Sequence, residues 1–300
     1  MAEHTEIEVS ELKDIVVIYH GHCQDGFGAA FSAFKKFGDT ASYLPCSDRY
    51  TPPEGLADKE VYILDFSYPL DVLQQLEKSA KKLVIIDHHL SAKYAVESIR
   101  EHIFSLEHSG AYLSWQYFVG TEVPYLIELL QIIDLAKDKN GEKSDLITYI
   151  LSKQYEFDVY EQMLHDFSDE TKMSEIARIG KFQSEYLTLI VDAVVNKPDF
   201  AVFEGYTVPC VNFSLPINER SIALAKLYTL YPPFAMSYRY DNGFIKVSLR
   251  GNGDVDLAEI AARYGGGGHK GAAGFIVETD SPISFLSFVK REKDMKSAQA

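Results

Sequence analysis

Three hundred residues carrying 29 Lys and Arg against 44 Asp and Glu give a formal net charge of −15, which excludes binding by coating long duplex nucleic acid with positive charge. A short anionic substrate, held locally by metal ions or a few basic groups, remains compatible with that balance. Hydrophobic residues make up 46% of the chain, ample for sizeable cores, and a length of this order corresponds to about two domains. No apolar run reaches the roughly 18 residues of a membrane span, and the acidic start Met1-Ala2-Glu3-His4 lacks the apolar core of a signal peptide. Cys23, Cys46 and Cys210 form no disulfide framework, which points to a reduced, cytoplasmic setting.

In chain order, Ile15 to Tyr19 is the first unbroken apolar run of strand length, followed by a helical stretch from Gly26 to Phe37. Val61 to Leu64 and Leu83 to Ile86 repeat the strand pattern, with a helix between them from Pro69 to Lys81. Runs of this kind alternating with helices predict a parallel sheet covered on both faces, an α/β domain. From Ser109 to Asn196 the chain reads as helix. Ser109 caps a helix containing Trp115, and Pro124 opens another through Leu126, Leu129, Leu130 and Ile133. A connector from Thr171 to Val195 stops at Asn196-Lys197-Pro198. Strands return at Ala201 to Phe203, Thr207 to Phe213, Phe234 to Tyr240 and Phe244 to Leu249, the last two joined by the hairpin signal Asp241-Asn242-Gly243. A helix over Asp256 to Tyr264, a glycine run, a strand over Ala273 to Val277 and a last helix complete a smaller, mixed-sheet α/β domain. The tail from Lys290 is expected to fray. The expected division is an N-terminal domain over 1–170, a helical linker over 171–198 and a C-terminal domain over 199–300.

The chemistry gathers where the N-terminal strands end. The first runs into His20-Gly21-His22-Cys23-Gln24-Asp25-Gly26, the second into Asp65, the third into Asp87-His88-His89. In a parallel α/β sheet the carboxyl ends of the strands line one crevice, where ligands bind. Three strands therefore deliver carboxylates and imidazoles to one place. That donor mixture suits a hard to borderline divalent ion such as manganese rather than a structural zinc. Carboxylates so close repel one another unless cations neutralise them.

Asp87-His88-His89 after Leu-Val-Ile-Ile, with the upstream Asp25-Gly26 turn, resembles the DHH phosphoesterases. The C-terminal run Gly265-Gly266-Gly267-Gly268-His269, followed by Ala272-Ala273-Gly274-Phe275, resembles the signature of the DHH-associated C-terminal domain. The family includes RecJ-type exonucleases, nanoRNases and related oligoribonucleases, manganese pyrophosphatases and cyclic-dinucleotide phosphodiesterases. The resemblance implies that His20, Asp25 and Asp65 are metal ligands, Asp65 bridging two manganese ions, with magnesium or cobalt as substitutes. It implies further that His88 ligates the second ion, that His89 faces the phosphate and that Asp87 orients its neighbours. Asp134, in Ile132-Ile133-Asp134-Leu135, fits the family's fourth motif as a further ligand. Many relatives have His-x-x-x-Asp-x-Asp in the first motif. Here Cys23 stands two residues before Asp25, leaving His22 or the Cys23 thiolate to substitute for the missing carboxylate.

Glycines let backbone N–H groups approach an anion closely, so Gly266, Gly267 and Gly268 with His269 read as a phosphate nest. Arg250, in Ser248-Leu249-Arg250, matches the family's Ser-x-Arg phosphate contact, and a guanidinium fork suits phosphate. Tyr264 reads as core before it reads as a base-stacking platform. The expected function is a manganese-dependent phosphodiesterase of short single-stranded oligonucleotides or dinucleotides. Two alternatives stand beside it: a phosphatase of pyrophosphate, short polyphosphate or phosphoadenosine phosphate, and a nucleotide-binding module whose metal site has decayed.

Overall fold

The computed structural model describes residues 12–46, 50–135, 137–138, 141–212, 217–241 and 243–278, with the backbone alone for 217–219. The chain divides into two compact units, 1–183 and 184–300.

The first unit opens with β1 (Ile15–His20), α1 (Gln24–Phe37), β2 (Ala41–Cys46), β3 (Glu60–Leu64), α2 (Leu70–Ser79), β4 (Lys82–Asp87), α3 (Lys93–Glu97) and β5 (His102–Phe104). The five strands form one sheet in the order β2-β1-β3-β4-β5, every pairing parallel. The apolar runs are buried on both sides because alternate side chains enter opposite layers. Val17 and Tyr19 pack into one core with α1, while Val16 and Ile18 pack into another with Leu73, Leu76 and Val96. Strand order reverses between β1 and β3, the switch point at which such sheets open a crevice at their carboxyl ends.

Helices follow: α4 (Gly110–Phe118), α5 (Tyr125–Asp134), α6 (Ser144–Leu151), α7 (Phe157–Asp166) and α8 (Glu170–Val195). Ser109 caps α4 as expected, its hydroxyl accepting the Tyr112 N–H at 3.4 Å. Pro69 and Pro124 sit at the N-caps of α2 and α5, one residue before the first turn. The boundary between the units falls inside α8. Among the described residues no helix is long and apolar enough to cross a membrane.

The second unit holds β6 (Asp199–Phe203), β7 (Tyr206–Asn212), α9 (Ile217–Leu230), β8 (Phe234–Asp241), β9 (Phe244–Gly251), α10 (Leu257–Ala262), β10 (Gly267–His269) and β11 (Ala272–Glu278). Its sheet runs β10-β11-β9-β8-β7-β6. Only the β7–β8 pair, which α9 connects, is parallel. This is the smaller mixed-sheet domain that the strand pattern predicts. Asn242 of the expected hairpin turn, Phe213, the last helix and the tail from Lys290 lie outside the described residues. Three elements depart from the expectation. The strand β2 carries Pro45 and is largely half-buried at a sheet edge, so it lacks a continuous apolar run. The helix α9 buries Ala223, Leu224 and Leu227 yet exposes Ile222 and Leu230, which blurs its periodicity. Half of the glycine run is strand, because Gly267–His269 pair with β11.

Candidate metal centre

The crevice at the switch point is lined from three strand ends. His20 closes β1, Asp65 follows β3 and Asp87-His88-His89 closes β4. Asp65 adopts φ +63°, a left-handed conformation that Asp tolerates better than most residues. Its amide donates to the Ile86 carbonyl at 2.8 Å, which fixes this turn against β4. Asp25 enters from the first turn of α1, and α1 lies so close to β1 that a Cβ on Gly26 would stand 2.1 Å from the His20 carbonyl oxygen.

His88 Nε2 lies 3.1 Å from Asp65 Oδ1, 3.4 Å from Asp134 Oδ2 and 3.9 Å from Asp25 Oδ2. His20 Nδ1 lies 3.4 Å from the other Asp65 oxygen. Three groups of donor atoms, each within 4.8 Å of one another, result: His20, Cys23 and Asp65; Asp65, His88 and His89; Asp25, His88 and Asp134. Asp65 and His88 are each shared between two of them. Asp134, at the last residue of α5, closes the crevice with a side chain 24% exposed. His22 is exposed at the turn and belongs to none of these groups, whereas Cys23 belongs to one.

Asp87 is buried and does not join the donor groups. Its Oδ1 accepts the His88 N–H at 2.7 Å, the His89 N–H at 3.2 Å and His89 Nδ1 at 2.7 Å. It therefore holds the following two residues in place, and the bond to Asp87 shifts the His89 imidazole toward its protonated form.

The electrostatics record a surplus of negative charge. Burial and then the charges of Asp65 and Asp134 push the Asp25 carboxyl well above the ordinary range. Burial likewise opposes the ionised Asp65, but hydrogen bonds from His20 and His88 outweigh it and hold Asp65 well below that range. Burial and Asp65 raise Asp134. Burial, Asp65 and Asp25 push the Cys23 thiol up, so it stays protonated at neutral pH without a cation beside it. Imidazole and carboxylate donors crowded in this way, with a thiol at one corner, fit divalent cations of the manganese type.

Two positioning features escape the strand-end pattern. Gly110 and Ala111, at the N-terminus of α4, donate their N–H groups to Asp25 Oδ2 at 2.6 Å and Oδ1 at 3.1 Å. Gly110 also presses on Asp65: a Cβ there would lie 2.6 Å from the Asp65 Cβ. The local signal is the cap Ser109 followed by two small residues. The second feature is Gln24, whose buried amide oxygen accepts the Tyr160 hydroxyl of α7.

In the second unit, Arg250 donates to the Leu249 carbonyl at 2.9 Å and to Ser221 Oγ at 3.2 Å. Gly267, Gly268 and His269 are exposed along β10, and Gly266 borders a cavity of about 400 Å³. Tyr264 stacks on Phe275 with centroids 4.6 Å apart and donates to Glu204, but it is 38% exposed and so is not the core residue expected.

A parallel sheet with carboxylates and imidazoles converging at its switch point is followed by a mixed-sheet unit, the order of elements expected from the sequence. Residues 226–293 match the DHHA1 domain. The chain shares its fold with an exopolyphosphatase-related protein from Bacteroides fragilis (16% identity, TM-score 0.54, covering 97% of this chain and 92% of the other). It shares it also with the pGpG-specific phosphodiesterase PggH from Vibrio cholerae (16% identity, TM-score 0.51, covering 95% and 98%). The uncharacterized protein R106 of Acanthamoeba polyphaga mimivirus is 28% identical over 289 residues, which take in 86% of this chain. The match spans 66% of that relative's length. The chain carries a DHHA1 domain in its second unit.

Proposed function

We propose that the protein is a manganese-dependent phosphodiesterase that cleaves short oligonucleotides or dinucleotides to nucleoside monophosphates. The observation that carries this reading is the sharing of Asp65 and His88 among three donor groups, which suits a pair of cations held side by side. In this reading His20, Cys23 and Asp65 would hold one ion and Asp25, His88 and Asp134 the other, with Asp65 shared between them. Magnesium or cobalt would serve in manganese's place. When bound, the ions supply Lewis-acid charge and an activated water for in-line displacement.

The chain's own residues do the rest. Asp87 fixes the His89 ring through Nδ1 and favours its protonated form, which leaves Nε2–H free to donate to a phosphoryl oxygen as charge builds there. Gly110 and Ala111 hold the Asp25 carboxylate in one orientation. Arg250, Gly266, Gly267, Gly268 and His269 of the second unit bind the part of the substrate that does not react, and such remote binding orients the scissile bond. The net charge of −15 agrees with a small substrate rather than a long duplex. The fold shared with a pGpG-specific phosphodiesterase agrees with it too.

The test is hydrolysis by the metal-stripped chain with and without added manganese, on dinucleotides, longer RNA and DNA, pyrophosphate and phosphoadenosine phosphate. Turnover of dinucleotides that requires the added ion is expected. Turnover confined to pyrophosphate or phosphoadenosine phosphate would overturn the reading, and so would hydrolysis that survives exhaustive chelation.

A further inference from the structure

We propose that the two cation positions differ in kind: the group His20, Cys23 and Asp65 selects a thiophilic ion, zinc before manganese, while the group Asp25, His88 and Asp134 keeps the harder manganese or magnesium. This deepens the two-ion reading given above and rests on it.

The difference lies in the donor atoms. The first group offers one imidazole nitrogen, one sulfur and one carboxylate oxygen; the second offers one nitrogen and two carboxylate oxygens. Affinity for a given set of such donors rises from manganese through iron to cobalt, and thiolate favours zinc where carboxylate suits manganese and magnesium. Sulfur is the one donor of the first group without a counterpart in the second. Three protein donors of mixed type, with a further position for water or substrate, is also the pattern of a zinc ion that takes part in chemistry, whereas a structural zinc is closed by four.

The local structure leaves the sulfur for this use. Cys23 stands at the N-cap of α1 with φ −126° and ψ 136°, and its side chain makes no capping hydrogen bond. Its carbonyl alone starts the helix, accepting the Phe27 N–H at 3.0 Å. Cysteine is not among the residues that helix N-caps prefer, so capping does not account for it. The N-terminal end of a 14-residue helix favours an anionic sulfur. On coordination a bond from sulfur to the ion forms, and the thiol proton passes to the buffer.

Asp65 supplies the second observation. It is 1% exposed, and its Oδ2 has no hydrogen bond of normal length: His20 Nδ1 stands 3.4 Å away, beyond the usual reach of about 2.7–3.2 Å. Two donors bonded to one tetrahedral ion at about 2.0–2.1 Å stand roughly 3.3–3.4 Å apart. A buried carboxylate oxygen and an imidazole nitrogen at that separation, with a thiol in the same group, are spaced as ligands of a shared ion. Manganese in excess still fills both positions; zinc, when present, takes the Cys23 position first.

The full chain is stripped by chelation and dialysed against excess manganese with one equivalent of zinc, and its metal content is read by elemental analysis. About one zinc and one manganese per chain are expected. Cys23→Ser should weaken zinc by no less than the roughly 10- to 100-fold that loss of even an outer partner costs, with manganese affinity at the second position within about threefold. Serine is a favoured N-cap, so the variant keeps the start of α1. Cys23→Asp, an oxygen donor at the same place, should take manganese there in zinc's stead. Cobalt gives a readout independent of both ions. The first equivalent should produce a near-ultraviolet sulfur-to-cobalt charge-transfer band in the unmodified chain and none in Cys23→Ser, which retains Cys46 and Cys210. Manganese at both positions of the unmodified chain, zinc affinity unchanged in Cys23→Ser, or a cobalt spectrum without the sulfur band would overturn the proposal and leave the two-ion reading standing. Uptake of no ion at all would overturn both.

Discussion

Gly110→Ala is a one-carbon change whose consequence follows from the crevice geometry. The added Cβ would stand 2.6 Å from the Asp65 Cβ and 2.7 Å from its Oδ1, where ordinary contact begins at 3.4 Å. Asp65 and the first turn of α4 must therefore separate by something close to the missing 0.8 Å, the difference between 3.4 and 2.6 Å. Both are constrained: Asp65 by the bond from its amide to Ile86, and α4 by the two N–H groups that hold Asp25. Overpacking of this kind costs about 1–3 kcal/mol. The better helix propensity of Ala returns up to ~1 kcal/mol. The net loss of stability should then fall between about 0 and 3 kcal/mol. The effect on catalysis should be larger, because a displacement near 1 Å at a reacting centre costs on the order of a hundredfold. Urea unfolding gives the first quantity, and kcat/KM for a dinucleotide under manganese gives the second. Activity within threefold of the unmodified chain, at unchanged stability, would refute the argument that Gly110 is required by its contact with Asp65.

Asp87→Ala removes the acceptor that holds His88 and His89, so kcat should fall about 10- to 100-fold with metal content unchanged. Loss of an ion by elemental analysis would instead place Asp87 among the ligands. Asp25 predicts a pH dependence of the chelated protein. Its carboxyl is raised in the fold, so stabilisation from the protonated form is full below the unfolded value near ~3.9 and is lost as pH rises through the raised folded value. Chelated Asp25→Asn should therefore gain in Tm on the chelated parent as pH rises above ~4, and added manganese should favour the parent; a parent that gains on the variant as pH rises would contradict this. Cys23→Ser should weaken one of two bound ions, since Cys23 shares a donor group with His20 and Asp65, while His22→Ala, at an exposed position, should leave both. The opposite pattern in metal stoichiometry would show that the first-motif turn rearranges when metal binds.

The strand ends were legible because burial and chemistry are written in the same few residues. Val16 to Ile18, Val61 to Leu64 and Leu83 to Ile86 have no polar interruption, so the His or Asp that ends each run marks the sheet's carboxyl edge. Parallel pairing then requires those edges to lie side by side, and the three donor groups follow. The same logic fails for β2. Its Pro45 and half-buried side chains give the pattern of a loop, yet its carbonyl at Cys46 anchors Gly21 at 2.9 Å and so shapes the turn that carries Cys23.

What the sequence hides is contact made through space between residues with no common local pattern. Gly110 is 45 residues from Asp65 and 85 from Asp25, and its role is visible only once α4 is docked against α1 and the turn that follows β3. Arg220 and Arg239 are 19 residues apart, one on a helix and one on a strand, and each alone reads as a surface arginine. Arg250 is identified through the resemblance of Ser248-Leu249-Arg250 to the family's Ser-x-Arg contact, and the two outer residues, spaced by two on a strand, share a face. That face is the one on which Lys246 and the cross-strand Arg239 also stand, by the same period of two and the register of β8 on β9. On that face of the sheet strand periodicity places Lys246, pairing places Arg239, and only the packing of α9 adds Arg220.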